Sequence, residues 1–534
     1  MKLQETYILP DHTVGKNLLA ELKRVYPLKS LTPVSQRQTS FDSFDWRLYQ
    51  KGYFLIDQDE DGFQLRKTNT DECWLHTVKA EKDTPQFWWD FPKGKFQKAL
   101  KDILDVRAVL PLAETIRDLE TYRCLNSDSK TVLRLHLEDV SLVQAEGENK
   151  SLRHALQIES LRGYESEVDR LKEILDRMGV FPESRPRHFV MAALEAIGKR
   201  PFDYSSKIDI KLNPLMSSRE AARIIHRHSF DVMCKNEEGM LADIDSEFLH
   251  DFRVAVRRTR SALSLVKGVF PQAQVDRFKN DFSYLGRLTN KMRDLDVYLL
   301  KRERYRGMLP GNLRPGLDLF FEDLSTQRTE EYKKFVKNVR NGKYKSIMKA
   351  WNSFLENNNV PIADCPNAEL PVINTAQELI AKRFRKIYRE GLAINDLTPE
   401  ERLHELRIDF KKLRYLIEFF RSLYPAKDIA FIVKKLRRLQ GVLGDLNDLF
   451  VQQETLNQYL SEISPQRKDA IPLAASIGVL VSALQREKDS VRTHFSETFS
   501  GICDKKFAAI LELHFGGKAT SPLTARSSKK RAIK

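Results

Sequence analysis

Residues 249–260 read LHDFRVAVRRTR, and residues 403–414 read LHELRIDFKKLR. In each stretch a histidine, His250 or His404, is followed at +3, +7, +8 and +10 by arginine or lysine. A proline, Pro271 or Pro425, stands 21 residues after each histidine. Agreement in residue class at so many positions indicates an internal repeat.

Each stretch has the spacing of an amphipathic helix with one cationic face. At about 100° per residue, the basic residues fall on the same side as the histidine, and the opposite side is apolar. The cationic faces contain His250, Arg253, Arg257 and Arg260 in the first copy and His404, Arg407, Lys411 and Arg414 in the second. We therefore expect two helices that each present a row of positive charge.

A cationic helix face has two explanations, a solvated surface or a binding site for an anion. Solvated faces usually alternate charge sign, because opposite charges at i and i+4 stabilise a helix by about 0.2–0.5 kcal/mol per pair. These two faces place like charges together, and they do so twice. We therefore favour an anionic ligand that neutralises them.

The two copies resemble the CHAD domain, the conserved histidine α-helical domain, in the pattern His-x-x-Arg-(Val/Ile)-x-x-(Arg/Lys)-(Arg/Lys)-x-Arg. Segments 292–297 (MRDLDV) and 443–448 (LGDLND), one after each copy, resemble that family's Arg-Asp-Leu-Asp segment. The resemblance spans about residues 215–515. It implies two pseudo-symmetric four-helix bundles, with a basic groove or pore between them that binds inorganic polyphosphate.

The cationic faces and the resemblance together predict a set of polyphosphate-binding residues. A second basic cluster adds Lys434 and Arg438, which are four residues apart, although a solvated face explains this cluster equally well. The predicted residues are His250, Arg253, Arg257, Arg258, Arg260, His404, Arg407, Lys411, Lys412, Arg414, Lys434 and Arg438.

The two histidines are expected to donate hydrogen bonds to phosphate oxygens, so binding should tighten as the pH falls through the histidine range. A buried, structural histidine is the alternative. Neither histidine has a second ligand at metal-binding spacing on its face. We predict no metal site and no cofactor.

The first 165 residues have a different pattern of apolar and polar residues. Short apolar segments such as 132–143 are separated by polar turns, which is typical of antiparallel strands. Residues 40–43 (SFDS) and 77–79 (TVK) resemble the CYTH domain, the triphosphate-tunnel β-barrel. That family's carboxylates are mostly missing here, since Gln4 and Gln157 stand at two of their positions. Because triphosphate hydrolysis needs carboxylates that hold Mg²⁺, we expect no catalytic residues, although Lys79, Arg117, Arg123 and Arg134 could still line a tunnel.

The two resemblances together imply an α+β N-terminal antiparallel β-barrel followed by an all-α domain of two four-helix bundles. The boundaries are residues 1–200 for the degenerate CYTH-like barrel, 201–214 for a linker and 215–515 for the CHAD domain. Its repeats span about 215–360 and 370–515, and residues 516–534 form a disordered basic tail.

Composition limits the function classes. The 534 residues carry a net charge of +15, which favours a polyanionic partner. Five cysteines without CxxC spacing give no disulfide framework or zinc site. With no signal peptide and no spanning segment, we expect a cytoplasmic protein that associates with polyphosphate granules and not with membranes.

Two alternatives remain open. A nucleic-acid binder fits the charge, but single-strand binders stack bases on aromatic residues in a basic groove, and the cationic faces contain none. A CYTH-type triphosphatase with residual activity is the other alternative, and the missing carboxylates oppose it.

Overall fold

A computed structural model describes residues 4–58, 62–69, 73–77, 80, 86–144, 146–182, 188–357, 364–394, 398–493, 495–502 and 505–515. The chain forms two compact units, Met1–Ser205 and Ser206–Lys534. The division lies inside the segment 201–214. Lys79 and the tail 516–534, which figure in the sequence predictions, lie outside the described residues.

The N-terminal unit is built on an antiparallel sheet. Its strands are β1 (Gln4–Leu9), β2 (Leu28–Ser30), β3 (Val34–Asp42), β4 (Tyr53–Asp57), β5 (Phe63–Lys67), β6 (Cys73–Thr77), β7 (Leu110–Leu125), β8 (Thr131–Leu142) and β9 (Lys150–Ser160). The strand order is β1-β9-β8-β7-β3-β4-β5-β6, and β2 pairs with β7. The predicted antiparallel fold is confirmed and is compatible with a triphosphate tunnel. Among the described residues β1 and β6 are the two edges, so the sheet is open where a closed barrel was predicted.

Helices pack against both faces of this sheet. They are α1 (His12–Lys23), α2 (Arg47–Gln50), α3 (Lys95–Leu104), α4 (Glu165–Arg177) and α5 (Phe189–Ala196). Helices α1 and α4 lie on one face and α5 lies on the other. Leu133 and Leu135 of β8 are buried in one core with Leu18 of α1 and Leu171 of α4. Because side chains alternate along a strand, Arg134 between these leucines points to the opposite face, which is polar in this part of the sheet.

The second unit is helical, as predicted. Repeat one contains α6 (Ser218–Leu241), α7 (Ser246–Leu265), α8 (Gln272–Leu300), α9 (Arg302–Met308), α10 (Arg314–Arg340) and α11 (Gly342–Glu356). Repeat two contains α12 (Val372–Leu392), α13 (Glu400–Phe419), α14 (Ala426–Glu462), α15 (Ala470–Thr493), α16 (Phe495–Ile502) and α17 (Lys505–Phe515). In the described part of the chain, no helix combines the length and apolarity needed to cross a membrane.

The two helical repeats follow one constant offset. The residues that precede their first three helices are Ser217, Asp245 and Pro271 in repeat one and Pro371, Pro399 and Pro425 in repeat two. Each pair is separated by 154 residues, which is also the spacing of His250 and His404. Pro271 and Pro425, which the sequence analysis singled out, therefore mark helix starts. Proline fits there because the N–H that it lacks would have no hydrogen-bond partner within the helix.

Equivalent positions of the two repeats also touch each other. Ser217 and Pro371 form an antiparallel bridge, in which Val372 N donates to Met216 O at 2.9 Å. A residue that meets its own equivalent lies beside a twofold axis. The helical unit therefore has a pseudo-twofold axis near the starts of α6 and α12.

Candidate anion-binding site

The two helices that carry the repeated motif, α7 and α13, pack directly against each other. Arg257 of α7 donates from Nε to the hydroxyl of Tyr415 of α13 at 2.6 Å. Arg257 and Lys411 are equivalent residues, 154 positions apart, and the charge of one acts on the other. The centre of the two cationic faces therefore lies close to the pseudo-twofold axis.

In repeat one, Arg253 is anchored to the neighbouring helix α8. Its Nη1 donates to Gly286 O at 3.3 Å, to Thr289 Oγ1 at 2.8 Å and to Asn290 Oδ1 at 2.9 Å. Burial lowers the pKa of Arg253 to about 10, and the nearby Asp294 opposes this shift. Arg253 therefore stays charged at neutral pH, and neutral oxygen atoms already occupy part of its hydrogen-bonding capacity.

In repeat two, the equivalent residues face a different environment on α14. His404 Nδ1 lies 2.5 Å from Asn447 Oδ1, and Arg407 Nη2 lies 3.3 Å from Asp448 Oδ1. Burial lowers the pKa of Arg407, Asp448 opposes the change, and the charge of Arg257 adds to it. The two repeats thus hold their first arginine differently.

Lys411 is the most strongly perturbed cation of the second helix. Its pKa falls to about 8, first because the amine is partly buried and then because Arg407 and Arg257 repel its positive charge. Asp448 opposes this shift, and Arg414 adds to it. Three arginines and one carboxylate therefore act on Lys411, an arrangement that favours an anionic ligand.

The structure separates Arg258 from the other predicted ligands. Its side chain is only 12% exposed, donates to Ser206 O and lies 3.8 Å from Glu418 of α13. Because these contacts tie α7 to α13, the geometry favours a structural role for Arg258 over contact with a ligand. The sequence does not reveal these contacts of Arg258, because the position eight residues after His250 is simply one of several basic positions in the motif.

Two more predicted cations have carboxylate neighbours of their own. Lys412 Nζ lies 3.7 Å from Asp409, and Arg414 Nε lies 3.6 Å from Glu418. Asp409 is buried and also pairs with Arg383 and Lys386, each at 2.6 Å. Arg383 and Lys386 of the segment 383–386 (RFRK) are therefore counter-charges for Asp409.

The remaining predicted residues are more accessible. His250 is half-buried, and Arg260, Lys434 and Arg438 are exposed. The structure thus brings together Arg253, Arg257, Arg407 and Lys411 at the centre, and it places Lys434 and Arg438 on α14, which packs against α13.

One sequence alignment within the repeat needs correction. Segments 292–297 and 443–448 were matched so that Asp294 corresponded to Asp445. In the structure Asp294 acts on Arg253 as Asp448 acts on Arg407, and both pairs keep the 154-residue offset. Asp448 was therefore missed, although extending the offset from the histidines would have found it.

The polar face of the N-terminal sheet has its charges paired internally. Arg117 bonds to Glu138, Arg134 Nη1 lies 3.3 Å from Glu159, and Arg123 Nε donates to Thr131 at 2.8 Å. No group of His, Cys, Asp and Glu side chains suited to a metal ion occurs in the part of the chain that the structure describes.

Comparison with known families identifies the helical unit. A family model described as "CHAD domain" matches residues 224–457, a range that includes both motif helices and most of α14. These residues form a CHAD domain. The predicted resemblance is thereby confirmed for the helical unit, and α7 and α13 of the CHAD domain are the helices that carry its repeated histidines.

Three solved structures are similar to parts of this chain, and all three are distant in sequence. The CHAD domain from the plant Ricinus communis is 22% identical and covers 55% of this chain and 95% of its own, with a TM-score of 0.47. PptA from Streptomyces chartreusis is 14% identical, with coverages of 53% and 99% and a TM-score of 0.39. A putative adenylyl cyclase from Hippeastrum, described as having a dominant triphosphatase activity, is 14% identical, with coverages of 38% and 100% and a TM-score of 0.27. No curated protein matches the chain.

Proposed function

We propose that the CHAD domain binds inorganic polyphosphate across the paired cationic faces of α7 and α13, and that binding is its role, without catalysis. The observation that carries this proposal is the convergence of Arg257, Arg407 and Lys411 on one another, with the pKa of Lys411 held near 8. A polyanion would relieve this repulsion. The charge of +15 provides a favourable long-range field for such a ligand.

Polyphosphate fits this surface better than nucleic acid does. It has a negative charge on every phosphate and no bases, so its recognition depends on charge-assisted hydrogen bonds, for which arginine has forked donors. The aromatic residue at the centre, Tyr415, is buried and has its hydroxyl bound to Arg257. It is therefore not exposed as a stacking platform for bases.

A calorimetric titration of the full chain tests this function. Long-chain polyphosphate and duplex DNA are titrated at equal phosphate concentration and near-physiological salt. We expect polyphosphate to bind at least about tenfold more tightly than DNA, a margin of roughly 1.4 kcal/mol. Equal affinities would contradict the proposal, because they would show non-specific attraction between the positive charge of the protein and any polyanion.

The N-terminal unit is proposed to be inactive as a triphosphatase. Its polar face uses Glu138 and Glu159 in pairs with arginines, so these carboxylates are poorly placed to hold Mg²⁺ as well. We expect no phosphate release from tripolyphosphate or ATP with Mg²⁺ or Mn²⁺. Release above the enzyme-free blank would overturn this prediction and support the triphosphatase alternative.

The granule association is part of the same proposal. A protein whose CHAD domain binds polyphosphate would be enriched wherever long chains accumulate. Loss of that enrichment in a variant that no longer binds polyphosphate in solution is the expected result.

A further inference from the structure

The two repeats of the CHAD domain share a fold but differ in the charge of one helix. Residues 434–444 of α14 read KKLRRLQGVLG, with four cations and no acid. The equivalent residues 280–290 of α8 read NDFSYLGRLTN, with one arginine and one aspartate. The pseudo-twofold symmetry is therefore broken on one side of the site.

The extra cations of α14 lie on the same face as the site. Asp448 marks this face because its carboxylate contacts Arg407. At about 100° per residue, four residues of the segment 434–447 fall within roughly 40° of Asp448 on the helical wheel. They are Gly444, Gly441, Arg437 and Lys434. Arg437 and Lys434 therefore continue the row of cations away from the centre of the site, and Arg438 lies beside this row at roughly 80°.

On this face of α14 the two positions between Asp448 and Arg437 are glycines, Gly444 and Gly441, so the backbone is open there. Contacts of His404 with Asn447 and of Gln440 with Phe410 O set an antiparallel register. In that register Gly444 lies level with Arg407, and Gly441 lies level with Lys411. A Cβ added at either glycine would meet no atom within 4 Å. Packing therefore does not require these glycines, although glycine weakens a helix interior relative to alanine.

Repeat one has the corresponding space filled. The equivalent of Gly444 is Asn290, whose side chain accepts a hydrogen bond from Arg253. The equivalent of Arg438 is Tyr284, and Lys343 lies 4.1 Å from the centre of its ring. Lys434 and Arg437 correspond to Asn280 and Ser283. Gly441 corresponds to Arg287, so the route along α8 has one cation where α14 has three, and it lacks the open backbone of α14.

Lys434, Arg437 and Arg438 are exposed and available to a ligand. Among the described residues, none of the three has a carboxylate within ion-pair distance. Three neighbouring cations without counter-charges repel one another, and a polyanion neutralises that repulsion.

We infer that polyphosphate leaves the centre of the site in one direction only, along α14, over Gly444 and Gly441 to Arg437, Lys434 and Arg438. This inference rests on the proposed function and specifies how the same site recognises its ligand. The path from residue 434 to residue 448 is about 20 Å long at 1.5 Å per residue. Tripolyphosphate is shorter than this path, so affinity should increase with chain length until the path is filled.

Two charge-matched double variants of the full chain test the direction. Lys434→Ala/Arg437→Ala removes two cations from the α14 path, and Arg287→Ala/Lys291→Ala removes two exposed cations from α8. Each is titrated with tripolyphosphate and with polyphosphate of several tens of phosphates. We expect the α14 variant to bind the long chain about tenfold more weakly and tripolyphosphate within twofold of wild type. The α8 variant should leave both affinities within twofold.

Each outcome separates this inference from the proposed function. If the wild type fails to bind long polyphosphate, the proposed function is wrong. If the wild type binds but the two variants lose equal affinity, or neither loses any, the site is used symmetrically or ends at its centre, and only the one-directional path is wrong. A salt slope that becomes shallower by up to about 2 in the α14 variant is also expected, since up to two phosphate contacts are lost.

The glycines provide a second test in which no charge changes. In Gly441→Ala/Gly444→Ala we expect higher thermal stability, since alanine favours the helix, together with about tenfold weaker binding of long polyphosphate. Gly478→Ala in α15 is the control, because its Cβ also meets no atom within 4 Å. It should stabilise the fold without changing affinity. Unchanged affinity in the double glycine variant would contradict a path over α14.

Discussion

Replacing Arg257 and Lys411 together by alanine is expected to weaken the binding of long-chain polyphosphate by about a hundredfold or more. The two residues are equivalents that meet near the pseudo-twofold axis. Hydrogen bonds to charged groups contribute roughly 1.5–3 kcal/mol each, and 1.4 kcal/mol corresponds to a factor of ten in affinity. Loss of two such contacts therefore accounts for the expected change, which calorimetry measures directly.

A charge-matched control makes this result specific. Lys333 and Lys337 are exposed residues four positions apart on α10, and Lys333→Ala/Lys337→Ala lowers the net charge by the same amount. This control should retain affinity within about threefold, since exposed charges that do not contact the ligand act mainly through screened fields. Equal losses in both variants would mean that total charge, and not the paired helices, binds the polymer. Thermal melting of both variants checks that the loss of the Arg257 contact to Tyr415 leaves the fold intact.

The second large effect concerns Lys411 and pH. In the free protein its pKa lies near 8, so the amine loses its proton as the pH rises from about 7 to 9. Bound phosphate favours the protonated form, and binding should therefore take up a proton in this range. Affinity should fall by up to about tenfold per pH unit above pH 8, because one proton is linked to binding. Titrations in buffers with different ionisation enthalpies measure that proton directly.

Lys411→Arg is the matched variant for this effect. Arginine keeps its charge throughout the range, so the decline above pH 8 and the proton uptake should both largely disappear. Long chains are used because few of their phosphates are terminal, which keeps the charge of the ligand nearly constant. The same decline in wild type and in Lys411→Arg would show that another group titrates.

Stability without ligand should show the opposite dependence on pH. The pKa of Lys411 is lower in the folded protein than its ordinary value near 10.5. Between about pH 8 and 10.5 the unfolded chain therefore holds one more proton, and the contribution of Lys411 to the free energy of unfolding rises with pH. If stability rises and binding weakens over the same pH range, the positive charge of Lys411 costs stability in the free protein and contributes to ligand binding. Binding sites often contain such a trade-off between stability and function.

Hydrogen bonding of the two motif histidines to phosphate remains a prediction. In the structure, the two histidines have different surroundings. His404 is exposed, and its Nδ1 is within hydrogen-bond distance of Asn447, whereas His250 is half-buried. Because Nδ1 of His404 is occupied, Nε2 is the atom available to donate to phosphate. The expected tightening below pH 7 should therefore depend on His404, and affinities of His404→Gln at pH 6 and pH 8 provide the check.

The sequence by itself determined the helices, their repeat and the residues of the centre. Helical periodicity depends on neighbours three and four positions apart, so the cationic faces of α7 and α13 and the helix starts after Pro271 and Pro425 could be found from spacing alone. The same local rule identified Arg257 and Lys411 as cationic-face residues. The alternation of apolar and polar residues likewise predicted the antiparallel strands of the N-terminal unit.

Only the tertiary structure decided what each cation faces. Arg258 meets Glu418, Arg407 meets Asp448, and Arg253 meets Asn290 across distances of 37 to 160 residues in the chain. Such contacts depend on how the apolar faces of the helices pack, which no local pattern specifies. For the same reason Lys411 becomes crowded by Arg257, and Glu138 becomes paired with Arg117, only after the chain has folded.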